Sequence, residues 1–262
     1  MEQTLNSQSL YSQPVQLMHN KSFELSHNRD VSPINIVLHS HDFYELYFFV
    51  GGKAVYSVEN LHYNLVPGDI MLVNANVLHQ LDVENKNIVY ERIVLWINPK
   101  YMKKISTKES DLANCFVKAN QNKSFLVRDF NLSEKVRSSL LKIENLENQK
   151  SFGTDIEKEI LIKNLLIDVN RFFASEKFDA RATNARYAKH ASEIVTNTMK
   201  YIEKNLQNEL TLDEISRNVY MSKFYLSRIF REETKTTIHQ YITKKRLIYS
   251  KSLIEKNITI KE

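Results

Sequence analysis

The spacing of apolar residues changes near Asn98, and this change limits the folds open to the 262-residue chain more than any other feature. From residue 33 to residue 98, apolar and polar residues alternate in short runs, with turn signals at residues 51–52 and 67–69. Alternation with period two is typical of half-buried strands. After Asn98, apolar residues recur every three or four positions, which predicts amphipathic helices. The pattern therefore predicts an α+β protein in which a β-barrel or sandwich precedes a set of helices.

Residues 211–230 predict two short helices joined by a tight turn, a helix-turn-helix. Apolar residues follow Leu212 at the spacing of one buried helical stripe, and a second stripe follows Ser222. Thr211 or Asp213 can cap the first helix, and Ser222 can cap the second. An ordinary helical hairpin with a solvated basic face has the same pattern, so the context has to decide between them.

The second of these helices suits the major groove of DNA. Side chains able to contact bases or phosphates lie near its start: Ser222, Lys223, Phe224, Ser227, Arg228 and Arg231. Residues 190–262 hold thirteen Lys or Arg against nine Asp or Glu, so most of the chain's net charge of +5 lies at this end.

Composition excludes several other classes of protein. Hydrophobic residues make up 42% and charged residues 26% of the chain, an ordinary globular balance. No apolar run approaches the roughly 18 residues of a membrane span. The polar start, residues 1–20, lacks the features of a secretory signal, so we expect a cytoplasmic protein with no membrane partner. The single cysteine, Cys115, fits a packed thiol better than a nucleophile.

The residues that follow the helix-turn-helix carry a resemblance to a known family. The order Tyr-Ile-x3-Arg-Leu-x2-Ser-x2-Leu-Ile begins at Tyr241, and Asn-Ile-Thr-Ile begins at Asn257. Together they resemble the DNA-binding domain of the AraC/XylS family of bacterial transcription factors, in which a long helix joins two helix-turn-helix units. The resemblance implies that residues 192–262 hold the first unit and the linker helix. A second unit would follow Glu262, so we expect an incomplete, C-terminally truncated DNA-binding domain.

A second resemblance covers the strand-rich region. His39-Ser-His41-x3-Glu45-x6-Gly52, followed by residues 67–69 and by His79, resembles the two signature segments of the cupin superfamily. In metal-bound cupins these motif positions hold an ion, and imidazoles with a carboxylate suit Fe, Mn, Ni or Zn. A metal here would therefore be held by His39, His41, Glu45 and His79.

Regulators of the AraC type also carry a cupin-like barrel and mostly use it to bind a small effector. We therefore expect an effector site with no cofactor and no metal, although the metal alternative stays open. Aromatic rings and a few polar groups suit a sugar or a related metabolite. The effector-site candidates are His39, His41, Glu45, Tyr47, Tyr56 and His79.

The middle of the chain predicts two long amphipathic helices, after Leu132 and after Ile156. They can cover the barrel, and they can also pair two chains, as the corresponding helices of arabinose-type regulators do. The expected divisions are a flexible N-terminal arm (1–30), the cupin-like barrel (31–98), the helical cover or dimerisation region (99–174), a linker (175–191) and the DNA-binding domain (192–262).

The leading hypothesis is an effector-responsive, sequence-specific transcriptional regulator that is not an enzyme and has no catalytic residues. By the family's motif, Phe224, Ser227 and Arg228 read bases, while Lys223 and Arg231 hold phosphates. The expected partners are promoter DNA, the effector and a second copy of the chain, and the resemblance also admits RNA polymerase and an activating role.

We expect loss of the second unit to weaken DNA binding. The alternatives are a metal-dependent cupin enzyme with a helical appendage, and a truncated partner that dimerises with full-length regulators and interferes with them.

Overall fold

The computed structural model describes residues 16–31, 35–83, 88–147, 149–175, 178–179, 186–190 and 192–255. Within these residues the strands are β1 (Phe23–Asp30), β2 (Ile36–His39), β3 (Tyr44–Gly51), β4 (Ala54–Val58), β5 (Leu61–Asn64), β6 (Ile70–Val73), β7 (His79–Val83), β8 (Tyr90–Ile97), β9 (Leu126–Val127) and β10 (Ala188–His190). The helices are α1 (Pro99–Ile105), α2 (Asn114–Gln121), α3 (Phe130–Glu147), α4 (Thr154–Ala174), α5 (Glu193–Lys204), α6 (Leu212–Asn218), α7 (Lys223–Thr234) and α8 (Ile238–Glu255). Among the helices within the described ranges, none is long and apolar enough to cross a membrane.

The strands form two antiparallel five-stranded sheets that face each other and enclose the first hydrophobic core. One sheet has the order β1-β8-β3-β6-β9, and the other has the order β10-β5-β4-β7-β2. Helix α2 contacts β6 and helix α3 contacts β1 of the first sheet. Strands β6 and β8 of this sheet are buried on both faces and are rich in apolar residues. The predicted α+β class, with a barrel of antiparallel strands before the helices, is confirmed.

Strand β1 departs from the expected flexible arm. Its residues pair with β8 from Phe23↔Ile97 to Asp30↔Tyr90. Only Phe23 and Leu25 are apolar in this strand, so alternation gave little signal. The backbone amides and carbonyls of β8 nevertheless need partners along that edge, and β1 supplies them. Residues 1–15 of the expected arm lie outside the described residues.

Two short strands also lie outside the predicted barrel region. Strand β9 falls within the expected helical region and pairs with β6. Strand β10 falls within the expected linker and pairs with β5, so the end of that segment belongs to a barrel sheet. Backbone pairing of two or three residues needs no apolar pattern, which is why sequence periodicity misses it. Most of the remaining expected linker lies outside the part of the chain that the structure describes.

The turn at residues 67–69 lies between β5 and β6 and packs against α3. Gly68 has φ +94°, and a Cβ on it would lie 2.8 Å from Oγ of Ser133 in α3, so no larger residue fits there without movement. The Asp69 carboxylate is fully buried and accepts from Nε and Nη2 of Arg128 at 2.7 and 2.6 Å. This bidentate pair fixes the chain just before α3 begins.

The C-terminal helices surround a second hydrophobic core. Thr211 Oγ1 accepts from the Glu214 amide at 3.2 Å, and Ser222 Oγ accepts from the Tyr225 amide at 3.3 Å, so the predicted caps of α6 and α7 are present. The buried apolar residues of this core include Val195, Ile202, Ile215, Leu226, Phe230 and Tyr241. The helix-turn-helix and the long helix α8 therefore form as predicted, whereas residues 257–260 of the family pattern lie outside the described residues.

Candidate functional site

Three histidines meet inside the barrel. His39 ends β2 and His79 begins β7, and the two residues are direct partners across these strands. The ring centroids of His39 and His79 are 4.1 Å apart, and His41 lies 4.8 Å from His79 and 5.8 Å from His39. All three residues are buried. Strand pairing thus brings His79 next to two histidines that lie 38 and 40 positions before it in the sequence.

Each imidazole is oriented by its own backbone neighbourhood. Nδ1 of His39 and His79 donates to the carbonyl two residues before it, at 3.0 and 2.9 Å, and Nδ1 of His41 donates to the Phe43 carbonyl at 3.0 Å. A proton on Nδ1 leaves the lone pair on Nε2, the tautomer that a metal or hydrogen-bond donor can use. The candidate ligand atoms of the three histidines lie within 4.8 Å of one another.

Two of these nitrogens are unsatisfied. Among the described residues, nothing forms a hydrogen bond with Nε2 of His39 or His79. Burial, with repulsion from the neighbouring histidines, holds the pKa of His39 well below its usual value. Burial likewise lowers the pKa of His79 to about 4, although Glu45 acts in the opposite direction. Both rings are therefore neutral near pH 7, and a buried acceptor without a donor is costly unless a ligand supplies one.

Glu45 is the charged centre of the cluster. Burial by itself would raise the pKa of this carboxyl, but the hydrogen bond with His41 and the hydroxyl of Tyr56 hold it well below its usual range. Its oxygens accept from Tyr56 OH at 2.5 Å and from Trp96 Nε1 at 2.8 Å, and Nε2 of His41 lies 3.2 Å away. Since Nδ1 of His41 is already a donor, one cation, a proton or a metal ion, can stand between its Nε2 and the carboxylate.

The cluster borders a small cavity. Its volume is about 20 Å³, close to the minimum that holds one water molecule. Of the six predicted effector-site residues, His39, Glu45, Tyr47, Tyr56 and His79 line it. His41 stands beside the cavity, against Glu45. The structure thus brings the predicted set together, but in a space far smaller than a sugar.

Sequence reasoning missed three residues of this site. Gln16 and Arg92 line the cavity, and Trp96 donates to Glu45. Arg92 and Trp96 share the inward face of β8 with Val94, but both faces of that strand are buried, so its sequence does not alternate. Gln16 lies in a polar segment that carries no signal. A charged residue and an indole at i and i+4 within an apolar strand were the only available clue.

Helix α7 presents the predicted DNA-contacting side chains. Lys223, Phe224, Arg228 and Arg231 are exposed and Ser227 is partly exposed, with the Phe224 ring 80% accessible. Ser222 caps the helix and so has a structural role as well. An exposed aromatic at the turn, Tyr220, was not predicted; its side chain is 92% accessible and its φ is +56°.

Two of the predicted cations have protein partners on this surface. Nζ of Lys223 lies 3.0 Å from Oδ1 of Asp213 in α6, an ion pair that is open to solvent on both sides. The Arg228 guanidinium stands 5.5 Å from the centre of the Tyr225 ring. Neither contact is strong enough to prevent the side chain from reaching a phosphate or a base.

A barrel with a buried polar cavity, joined to an exposed basic helix-turn-helix, defines a DNA-binding regulator with its own ligand-binding domain. The model described as "AraC-like ligand binding domain" matches residues 34–165, half of the chain, and "Bacterial regulatory helix-turn-helix proteins, AraC family" matches residues 202–243. The chain belongs to the AraC family of DNA-binding transcriptional regulators and is not an enzyme, as predicted.

Similar proteins are named as transcriptional regulators or activators. The "Uncharacterized HTH-type transcriptional regulator YbfI" of Bacillus subtilis (strain 168) is 21% identical over 84% of this chain and 74% of its own length. The "Probable transcriptional regulator LumQ" of Photobacterium leiognathi is 22% identical over 82% of this chain and 75% of its own length. The "HTH-type transcriptional activator AarP" of Providencia stuartii is 31% identical over 24% of this chain and 46% of its own length.

Proposed function

We propose that this regulator binds promoter DNA through α7 and responds to a small effector at the histidine cavity. The observation that carries the effector site is the pair of buried, unsatisfied Nε2 atoms on His39 and His79. Buried acceptors without partners are rare in folded proteins, and they often mark a place where a ligand binds. Since promoters are the targets of such regulators, we expect the protein to act in the cytoplasm.

On the DNA side, the exposed side chains of α7 divide into two roles. Phe224, Ser227 and Arg228 are proposed to contact base edges, with Arg228 donating to O6 and N7 of a guanine. Lys223 and Arg231 are proposed to contact phosphates, which requires Lys223 to leave Asp213. A single helix-turn-helix makes few phosphate contacts, so we expect α6 and α7 alone to bind weakly at physiological salt and a dimer to bind more tightly.

A sugar or a related metabolite remains the proposed effector, on two physical grounds. Its hydroxyls could donate to the two free Nε2 atoms, and its apolar face could pack on the Tyr47 and Tyr56 rings. A cavity of about 20 Å³ holds nothing larger than a water molecule or an ion. A metabolite would therefore have to displace Gln16 or the tyrosine side chains as it binds.

A transition-metal ion is the second candidate effector, because the cavity already fits one. Three imidazole nitrogens converge with a carboxylate nearby, and nitrogen ligands of this kind suit Zn, Ni or Fe. Elemental analysis of the purified protein and titration with Zn²⁺ separate the two candidates. Stoichiometric binding that His79→Ala abolishes supports the metal, whereas binding of a sugar with no metal at equilibrium supports the metabolite.

Homodimerisation through α4 is the proposed assembly. Ile156 and Ile160, one turn apart on α4, are 59% and 51% accessible, and Phe152 just before the helix is fully exposed. An exposed apolar strip of this kind favours a symmetric partner. Sedimentation of Ile160→Asp against the native chain tests it, with Lys163→Asp on the same helix as the control. An activating role has the word "activator" in the name of AarP as its support, and RNA polymerase as a further partner remains a proposal. It also remains a proposal that this chain dimerises with full-length regulators and interferes with them.

Selection of bound sequences from a random pool of double-stranded DNA tests the main proposal. We expect one enriched motif, and relaxed selection at one of its base positions with Arg228→Ala. Binding without an enriched motif would contradict sequence-specific reading by α7. A panel of sugars and divalent metals, screened by thermal unfolding, then identifies the effector class, because a ligand that binds only the folded state raises Tm.

A further inference from the structure

The two segments that contain His39 and His79 also pack against the DNA-binding domain. Leu38 of β2 and Leu78, the residue before β7, are 6% and 0% accessible and belong to the second core, among residues of α5 and α8. Each of them directly precedes one of the histidines, His39 or His79, that face the cavity on the other side. Two adjacent residues of one backbone segment thus contact two different domains, as side chains on opposite faces of a strand do.

An ion-pair network fastens the same segment to α8. The backbone amide of Glu59, in the turn between β4 and β5, donates to the Leu78 carbonyl at 3.0 Å. The Glu59 carboxylate accepts from Lys245 Nζ of α8 at 2.8 and 3.0 Å, and Lys245 also lies 2.7 Å from Glu203 of α5. The Lys245 side chain is only 12% accessible. Removing one member would leave a largely buried charge without its partner, so the contact resists separation.

We propose that the segments Leu38–His39 and Leu78–His79 couple the histidine cavity to the DNA-binding domain, so that a ligand on the Nε2 atoms changes how firmly α5 and α8 dock on the barrel. This inference rests on the proposed effector site. Packed interfaces switch between discrete arrangements and do not deform continuously, so a small movement of either histidine has to be met by repacking at the adjacent leucine. Couplings between sites are typically about 5- to 150-fold in an equilibrium constant.

The opposite sheet supplies a matched control. Tyr47 lines the same cavity but lies on β3, in the sheet that α2 and α3 contact. A change at Tyr47 therefore perturbs the cavity from a strand that does not carry the contact to α5 and α8. If a change in the cavity loosened the whole molecule equally, substitutions at Tyr47 and at His79 would have the same effect on the DNA-binding domain.

Amide hydrogen exchange of the full chain, followed by mass spectrometry, tests the coupling without DNA. Co²⁺ serves as the probe, since its absorption reports binding to imidazoles independently. We expect Co²⁺ and His79→Gln each to change exchange in α5 and α8 by at least about fivefold, and Tyr47→Phe to leave these helices unchanged. Exchange in α5 and α8 that is unchanged by His79→Gln, or changed equally by Tyr47→Phe, would overturn the proposal.

Removing the ion pairs of Lys245 with Glu59 and Glu203 provides a second test of the coupling. Lys245→Met should speed exchange in α5 and α8 and should abolish the further effect of His79→Gln, whereas Lys163→Met, which breaks an ion pair within α4, should do neither. An undiminished effect of His79→Gln in the Lys245→Met background would show that the coupling does not run through this contact. If the protein shows the coupling but selects no DNA sequence, the proposed DNA-binding function is refuted and the coupling is not. A chain that selects DNA without coupled exchange would refute only the coupling.

Discussion

The recognition helix and the histidine cavity differ in how their chemistry is specified. The side chains of α7 follow one another within ten positions and are exposed because the helix has one apolar stripe. The cavity collects side chains from β2, β3, β4, β7 and β8, which strand pairing brings together. Local sequence specifies the first region, whereas strand pairing specifies the second. We therefore expect substitutions in the cavity to affect folding and those on α7 to affect binding alone.

The largest expected effect is that of Glu45→Ala. It would leave Tyr56 OH, Trp96 Nε1 and the His41 ring without their buried acceptor. Removing one partner of a buried, hydrogen-bonded charge typically costs about 3–5 kcal/mol of unfolding free energy. Urea unfolding of Glu45→Ala against the native chain measures this, with Glu45→Gln as the control that keeps one acceptor oxygen. A loss no larger than that of an exposed Glu→Ala change, such as at Glu232, would show that the cluster does not stabilise the barrel.

Substitutions on α7 should instead separate base reading from phosphate contact. Arg228→Ala should cost about 1–3 kcal/mol on the selected DNA and relax one base position. Lys223→Ala should weaken binding to all sequences and reduce the salt dependence by about one phosphate contact. Gel-shift titrations on selected and random DNA at several salt concentrations check both. Equal losses on the two DNAs from both variants would contradict the assignment, and a large loss of stability from either would break the contrast with the cavity.

The same contrast explains what the sequence could predict. The change from strands to helices near Asn98 and the caps Thr211 and Ser222 follow from local period and residue type, so they were predicted. Strand β1 was missed because β8 imposes its pairing while its own residues are mostly polar. The cupin-like motif identified the histidines and Glu45 of the cavity. Nothing local indicates that Gln16 lies beside them, and the only signal for Arg92 is a charged residue within an apolar strand. The volume of the cavity depends on all of its side chains together, so no motif could give it.

A smaller effect is expected at the end of α7, where local sequence and local structure disagree. Lys235 terminates the helix with φ +54°, a left-handed conformation that glycine adopts without strain. Lys235→Gly should therefore raise the unfolding free energy by up to about 1 kcal/mol. Lys235→Ala, which removes the charge but keeps the Cβ, is the matched control. A gain from alanine equal to that from glycine would point to charge and not to backbone conformation.

The smallest expected effect contrasts a peripheral histidine with the buried three. His27 of β1 lies 2.9 Å from Glu91 and 3.0 Å from Glu144 of α3, so it joins the sheet to the helix. Burial by itself would lower the pKa of His27, but hydrogen bonds and charge from the two glutamates raise it above its usual value. This is opposite to His39 and His79, where burial dominates.

Because the folded-state pKa of His27 is raised, the protonated ring stabilises the fold fully below its unfolded pKa, about 6.5. The contribution is lost as the pH rises through the folded-state value. Partly exposed pairs of this kind contribute about 0–1 kcal/mol. The difference in unfolding free energy between the native chain and His27→Gln should therefore be largest near about pH 6 and shrink toward about pH 9. High salt should reduce it as well, since salt screens exposed charges. A difference that stays constant with pH would mean that His27 contributes packing alone, and the contrast with the buried histidines would then rest on burial and not on charge.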